Sequence, residues 1–325
     1  MKPPAKRITS ADVARAAGVS QTTVSFVLND KPGQRIPADT RRRVLEAARQ
    51  LNYRVRGSAR TLAAGRSNVV LLALSGMPIG PSVSRFIEHF GSSLATRGLT
   101  LVTHLVAPTA RTLEDVSAAV DASAVIGLDP FDEPAAEALR QAGVDLVLAV
   151  GADPSPPQME VGRLQARHLL DHGHRRIGYA LPELPAFRSW AEERLRGVLE
   201  VCAERGVDPA VAQTMGLGGA QAARDIAAWR SQSVTGICAF NDEIAIAVLA
   251  GLRAHGLTAP DDLAVVGVDD IPVARLAAPP LTTVSFDLAA AGARLAEAVA
   301  AGLEGNGVEL SMLAPDPELL VRGSA

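Results

Sequence analysis

Gln21, Thr22, Ser25 and Phe26 lie close together in the chain and are set to share the outer face of one short helix. The apolar residues of that segment, Val24, Val27 and Leu28, follow i, i+3, i+4 spacing and define its inner face. At 100° per residue, Phe26 lies about 200° from Val24 and so points away from that face. Exposed amide and hydroxyl side chains donate and accept hydrogen bonds, and an aromatic packs on a methyl group. These are the means by which a helix reads base edges in a major groove. The surrounding stretch, Ile8 to Asn29, reads as two short helices joined by a tight turn. Thr9 or Ser10 caps the first helix, and Asp12, three residues after Thr9, makes an approximate capping box. Val13, Ala14 and Ala17 line its inner side, Gly18 supplies the turn, and Ser20 caps the second helix. An ordinary helical hairpin, with Gly18 as a mere connector, has the same spacing.

Charge favours a polyanion as the partner. Residues 1–67 hold 14 Lys plus Arg against four Asp plus Glu, whereas residues 68–325 hold 18 against 31. All three lysines, Lys2, Lys6 and Lys31, lie in the first part. A small basic module on a larger acidic body suits DNA, because each neutralised phosphate releases condensed counterions. A third helix, about Ala38 to Leu51, follows the Pro32-Gly33 loop, and Val44, Leu45 and Ala48 are expected to close a three-helix core. Arg41, Arg42 and Arg43 either touch phosphates or solvate that helix.

The stretch ADVARAAGVSQTTVSFVLN closely resembles the DNA-binding start of the lactose-repressor (LacI/GalR) family of bacterial transcription regulators. The likeness continues through PADTRRRVLEAARQLNYR and GSARTLAAGRS, and more loosely over nearly the whole chain. It implies a helix-turn-helix headpiece over 1–54, a hinge helix or linker over 55–67, and an effector-binding and dimerisation core over 68–325. It also implies a homodimer whose two headpieces meet the halves of a near-palindromic double-stranded operator, about one helical turn apart. The DNA contacts carried over are Thr9, Ser20, Gln21, Thr22, Thr23, Ser25, Phe26, Asn29, Tyr53, Arg56, Ala59 and Leu62. Gln21 and Thr22 match the main base-reading positions, and Phe26 stands where many relatives have arginine. Leu62 matches a leucine that wedges into a central minor-groove step, unstacking bases and bending the duplex. Val55-Arg56 replaces the usual Pro-Asn, and Gly57 lowers helix propensity by up to about 1 kcal/mol. Hinge folding is therefore expected to lean more heavily on DNA here.

At 325 residues and 48% hydrophobic content, the chain is long enough for two or three domains with their own cores. Cys202 and Cys238 lack metal or redox spacing and read as buried, inert thiols in a reducing cytoplasm. No apolar run follows the basic start, and none approaches the ~20 residues that span a bilayer. A cytoplasmic protein with no membrane partner is expected.

From Asn68 onward, short apolar runs alternate with helical stretches. Strands are expected at Val69–Leu74, Leu99–Val106, Ala124–Leu128, Asp145–Val150, Arg176–Ala180, Gly236–Phe240 and Ala264–Val268. Helices are expected near 82–97, 112–120, 134–142, 159–172, 188–205, 220–230 and 242–255. Apolar strands alternating with helices imply parallel sheets covered on both faces, and so many units imply two α/β subdomains. The resemblance makes these a periplasmic-binding-protein-like core: an N-subdomain over about 68–154 and 288–318, and a C-subdomain over about 157–286. Pro279–Gly305 matches the family's return strand and helix, and PELLVRGSA its closing strand.

Between such subdomains a ligand meets the carboxyl ends of the strands. By resemblance, Asn241 in AFNDEIAIAVLAGLRAHGL, Asp269 in VVGVDDIP and Arg194 in EERLRG contact a small-molecule effector. Together they suit a polar or polyhydroxyl ligand. Each also has a plainer role open to it: Asn241 and Asp242 as a helix cap, Asp269 and Asp270 as turn residues, Arg194 as a surface charge. The other wall departs from the family, with Gly80-Pro81-Ser82-Val83 where Asn-Pro-Phe-Phe is common and Pro157-Gln158 where Asp-Asn is common. Aromatics are only 3% of the chain, so platforms for stacking a sugar are scarce and the effector's identity stays open. Three other patterns carry little. Gly216–Ala220 misses the last glycine of a dinucleotide loop, and Asp269-Asp270 has no evident nucleophile or base. His168 and His172, i and i+4 with His174 nearby, have a spacing that could bind zinc, but HLLDHGHRRI resembles the family's structural helix-to-strand passage. The expectation is a transcription regulator, most simply a repressor, under metabolite control, with no cofactor, no metal and no catalysis. Its rivals are a small-molecule-binding or enzymatic α/β protein with an incidental helical start, and a DNA-binding regulator indifferent to ligands.

Overall fold

Three helices, α1 (Ser10–Ala17), α2 (Gln21–Leu28) and α3 (Ala38–Gln50), bury a core of small and β-branched residues, among them Val13, Ala17, Val24, Val27 and Val44. This computed structural model describes residues 8–28, 36–51, 53, 67–76, 78–106, 111–128, 130–150, 155–308 and 316–325. The expected hinge up to residue 66, with Arg56, Ala59 and Leu62, lies outside the described residues, as do Asn29 and the Pro32-Gly33 loop. One expected core residue of the headpiece is misplaced. Leu45 is 37% exposed, and Ala47 takes its place beside Val44 and Ala48. Val44 and Ala48 stay inside, so the inner face of α3 is turned by only about 50° from the one expected.

The remainder forms two sheets. The first has the order β2-β1-β3-β4, all parallel, from β1 (Val69–Ser75), β2 (Thr100–Val106), β3 (Ala122–Gly127) and β4 (Leu146–Ala149). Its connecting helices are α4 (Pro81–Ala95), α5 (Leu113–Val120) and α6 (Glu133–Gln141). The second has the order β10-β9-β8-β7-β5-β6. It comprises β5 (Ile177–Pro182), β6 (Val211–Met215), β7 (Gly236–Ala239), β8 (Ala264–Val268), β9 (Thr282–Phe286) and β10 (Pro317–Leu320). Every pair in it is parallel except β9 with β10. The helices α7 (Ser155–Asp171), α8 (Arg188–Glu204), α9 (Gly219–Ser231) and α10 (Asp242–Ala254) belong to it.

Burial explains the order. All residues of β3, β7 and β8 are buried, as befits inner strands covered on both faces. At the edge of the second sheet β6 alternates exposed and half-buried residues, and its Gln213 and Thr214 break the apolar run. That edge strand has no counterpart among the expected ones, because a continuous apolar run marks only a strand buried on both faces. The helix α11 (Leu288–Leu303) crosses back, placing Leu295, Ala296 and Val299 in the core of the first sheet with Val70, Phe90 and Ile126. By Pro317 the chain is on the second sheet again, so the limit expected near 318 falls inside β10. Among the described residues, no helix is long and apolar enough to cross a membrane.

Candidate nucleic-acid interface and ligand cleft

The headpiece presents α2 through two local devices. Gly18, at φ 65°, ends α1, and the Val19 N–H closes back on the Ala14 carbonyl at 3.0 Å. The Ser20 hydroxyl then accepts the Thr23 N–H at 3.1 Å, capping α2 and engaging Thr23 itself. At the start of α1 the Asp12 carboxylate accepts both the Thr9 N–H, at 2.9 Å, and the Thr9 hydroxyl, at 2.7 Å. With its ends fixed, α2 buries Val24 and Val27 and leaves Gln21, Thr22 and Ser25 exposed. Phe26 is half-buried yet does not belong to the headpiece core, whereas Tyr53 packs against that core. On α3, Arg42 and Arg43 pair with Asp39 at 2.5 and 3.6 Å. These are exposed pairs, worth little to stability.

In the second subdomain, chemistry gathers at the carboxyl ends of β5, β7 and β8. Arg194, on α8, is only 3% exposed. Its Nε donates to the Gln158 side-chain oxygen at 2.6 Å, its Nη1 donates to the Phe240 carbonyl, and its guanidinium lies 4.6 Å above the Phe240 ring. Phe187 meets that ring at 5.3 Å. Burial lowers the Arg194 pKa, against the pull of Asp269. Asp269 and Asp270 follow β8 with φ of 110° and 46°, both in the left-handed region. Burial raises Asp269 to about 6, while Arg194 holds it down and Glu243 pushes it up. Asn241 caps α10, its side-chain oxygen accepting the Ile244 N–H at 3.0 Å. From the first subdomain, Arg85 of α4 reaches the Asp270 carbonyl at 3.4 Å, so the two subdomains meet at this turn.

Residues 9–55 match the family described as bacterial regulatory proteins, lacI family, and residues 166–325 match the periplasmic binding protein-like domain. The HTH-type transcriptional regulator reg1 of Streptomyces lividans is 33% identical over 338 residues, spanning 97% of this chain and 95% of its own. The chain belongs to the LacI family. It is a DNA-binding transcription regulator with a helix-turn-helix headpiece and a periplasmic-binding-protein-like core. Among solved structures, a transcriptional regulator CelR–cellobiose complex is 26% identical, spans 98% of this chain and 100% of that one, and gives a TM-score of 0.66. A lac repressor dimer bound to operator and the anti-inducer ONPF shares the fold at 23% identity, 98% and 99% coverage and a TM-score of 0.77.

In this LacI-family chain the three expected effector residues are brought to one end of the second sheet. Asn241 takes the capping role that the sequence left open, whereas Arg194 is no surface charge but a buried group tied to Gln158 and Phe240. Two residues of the same region escaped sequence reasoning, and a third, Asp242, figures in it only as part of a helix cap. Phe187 and Phe240 form an aromatic pair from segments distant in the chain, and Asp242 is wholly buried. The Asp242 carboxylate accepts the Ile271 N–H at 2.9 Å and the Thr283 hydroxyl at 2.6 Å. Gly267 makes room, since a Cβ there would lie 2.2 Å from that carboxylate. The available signal was an aspartate directly after a capping asparagine, opposite a glycine inside an apolar strand.

The rings of His172 and His174 have structural partners. The His172 Nδ1 faces the His168 carbonyl at 2.8 Å, and the His174 Nδ1 faces the Thr235 hydroxyl at 3.0 Å. Among the described residues, no three His, Cys, Asp or Glu side chains are grouped to hold a metal ion. Cys202 and Cys238 are buried free thiols, and burial raises both.

Asp242 makes a testable contribution to pH dependence. Burial raises it to about 7, against its two hydrogen bonds and with help from Asp269 and Asp270. A carboxyl raised from the ordinary 3.8 binds more protons folded than unfolded. Its contribution is whole below the unfolded pKa and is lost as pH rises towards the folded one. Asp269 acts with the same sign, while His168 and His174, both lowered by burial, act with the opposite sign below 6.5. Urea midpoints at about pH 5 and about pH 7.5 isolate the effect by comparison with Asp242→Asn. The wild-type protein should lose more stability between those pH values than the variant does, and equal losses would contradict a raised Asp242.

Proposed function

We propose that this regulator is a cytoplasmic homodimeric repressor, and that a small polar metabolite binding at the carboxyl ends of β5, β7 and β8 controls its hold on a near-palindromic operator. Gln21 and Thr22 carry the direct base readout, with Ser25 and Phe26 beside them and Thr9, Ser20, Thr23 and Tyr53 fixing the helix on the duplex. Asp269 and Arg194 hold the metabolite, and Asn241 shapes the rim. The observation that carries the effector role is a nearly buried arginine acting electrostatically on a half-buried aspartate at the strand ends. Such a pair offers donors and acceptors to hydroxyl groups. The Phe187–Phe240 pair adds an apolar wall of the kind a sugar ring packs against. No catalytic step is part of the proposal; the Asp270 carboxylate is taken up by Arg275 and Arg322.

Two titrations test this. Operator binding measured across a salt series should weaken steeply and linearly in log–log form, the mark of phosphate neutralisation. Calorimetry against mono- and disaccharides, beginning with the cellobiose that the CelR structure contains, should give binding that Asp269→Ala abolishes. A flat salt series would sink the operator interface, and silence across the sugars would leave a regulator that does not respond to them. One observation favours that second outcome: Arg194 already spends Nε and Nη1 on Gln158 and the Phe240 carbonyl.

A further inference from the structure

The turn that carries Asp269 is an unusual piece of backbone. Two consecutive non-glycine residues with positive φ persist only where the surroundings over-determine them. Four contacts do so here. The Asp269 N–H donates to the Val284 carbonyl at 2.7 Å, and the Ile271 N–H donates to Asp242 at 2.9 Å. The Asp270 carboxylate accepts Arg275 on one oxygen at 2.7 Å and Arg322 on the other at 2.6 Å.

The two arginines differ in kind. The Arg275 side chain is 66% exposed and sits on the turn that follows, so its pairing is screened and local. The Arg322 side chain is 17% exposed and comes from the far end of the sequence, just past β10. It also donates to the Leu281 carbonyl at 2.9 Å, and its own N–H donates to the Thr282 hydroxyl at 2.9 Å. Two residues on, Ser324 is fully buried, donating to the Val265 carbonyl at 2.6 Å and accepting the Thr282 N–H at 2.8 Å. The guanidinium is thus mounted on β8 and β9 and braced against Asp270. The carbonyl of Asp270, in turn, is where Arg85 of the first subdomain lands.

We infer that Arg322 is a positioning residue for effector control: it holds the Asp269–Asp270 turn in its left-handed form, setting both the presentation of Asp269 and the contact between subdomains. This rests on the proposed role of Asp269, so the test is chosen to need no effector. Hydrogen exchange, read by mass spectrometry on the full-length protein, compares the segments 267–272 and 281–286 in Arg322→Met, Arg322→Lys, Asp270→Asn and the double variant Arg322→Met/Asp270→Asn. Asparagine tolerates the left-handed conformation, so Asp270→Asn removes the charge while keeping the local backbone preference.

Exchange in 267–272 should rise about tenfold in Arg322→Met and in Asp270→Asn, and the double variant should add nothing to either. Arg322→Lys, keeping one of the two bonds, should fall between wild type and Arg322→Met, and 281–286 should stay protected. Equal loosening of both segments, or effects that add in the double variant, would reduce Arg322 to general packing and overturn the inference. Unchanged exchange in 267–272 would overturn it as well. Should Arg322→Met fail to fold, Arg322→Lys and Asp270→Asn still separate a positioning role from general packing. If the turn loosens as expected while wild-type protein binds no sugar, the effector role fails and the positioning role stands.

Discussion

An alanine at Gly162 or at Gly197 is expected to cost the core about 3 kcal/mol, since its Cβ would make the closest clash with backbone among the described glycines. The two glycines sit where α7 crosses α8. A Cβ at Gly162 would lie 1.9 Å from the Arg194 carbonyl oxygen and 3.1 Å from the Val198 nitrogen. A Cβ at Gly197 would lie 2.0 Å from the Met159 carbonyl oxygen. These neighbours are helix backbone and cannot rotate aside as a side chain can. The helices must move apart, and the cavity opened along the rest of their contact adds to the clash. The same displacement separates Gln158 on α7 from Arg194 on α8, whose hydrogen bond spans the crossing. Gly162→Ala should therefore lower the urea midpoint of the core and also release Arg194. Gly218→Ala is the control, since its Cβ would meet nothing within 4 Å. A loss below about 1 kcal/mol at both crossing positions would mean that the helices are not held so closely.

That crossing lies beyond what a sequence displays. Nothing near Gly162 in the sequence marks it, because a glycine's reason for being small lies on another helix. The headpiece is far more legible. Its turn glycine, its Ser20 cap and its Val24–Val27 spacing act within twenty residues of one another, and local chemistry decides them. Even there, Leu45 is misplaced by pattern alone, since which side of α3 faces inward depends on how three helices meet. In the core, continuous apolar runs reveal the inner strands, whereas β6, an edge strand with one wet face, carries no such run. The cleft follows the same rule. Asp269 and Arg194 can be named through a resemblance, but the partners that set their state, Gln158, Phe240 and Arg322, come from distant segments and are invisible one segment at a time.

Replacing Phe26 with arginine is expected to move operator preference from T towards G at the base pair this residue faces. Phe26 lies outside the buried cluster of Val24 and Val27, so the exchange should leave the headpiece folded. A phenyl ring has no donor for a base edge, but it can pack against the C5-methyl of thymine. Arginine instead donates two hydrogen bonds to N7 and O6 of guanine, a contact worth about 1–3 kcal/mol of discrimination, or roughly 5- to 150-fold in preference. Added positive charge also raises affinity for every duplex and steepens the salt dependence by about one counterion. For that reason total affinity is the wrong quantity to follow. Selection from random duplexes, run side by side on both proteins at one salt concentration, separates the two effects. The wild-type protein should return T at the affected position and Phe26→Arg should return G, with the positions facing Gln21 and Thr22 unchanged. Gln21→Ala should instead lose discrimination at its own base and keep the T. If Phe26→Arg binds all duplexes more tightly but keeps the wild-type base preference, residue 26 touches only phosphates, and the reading face of α2 ends at Ser25.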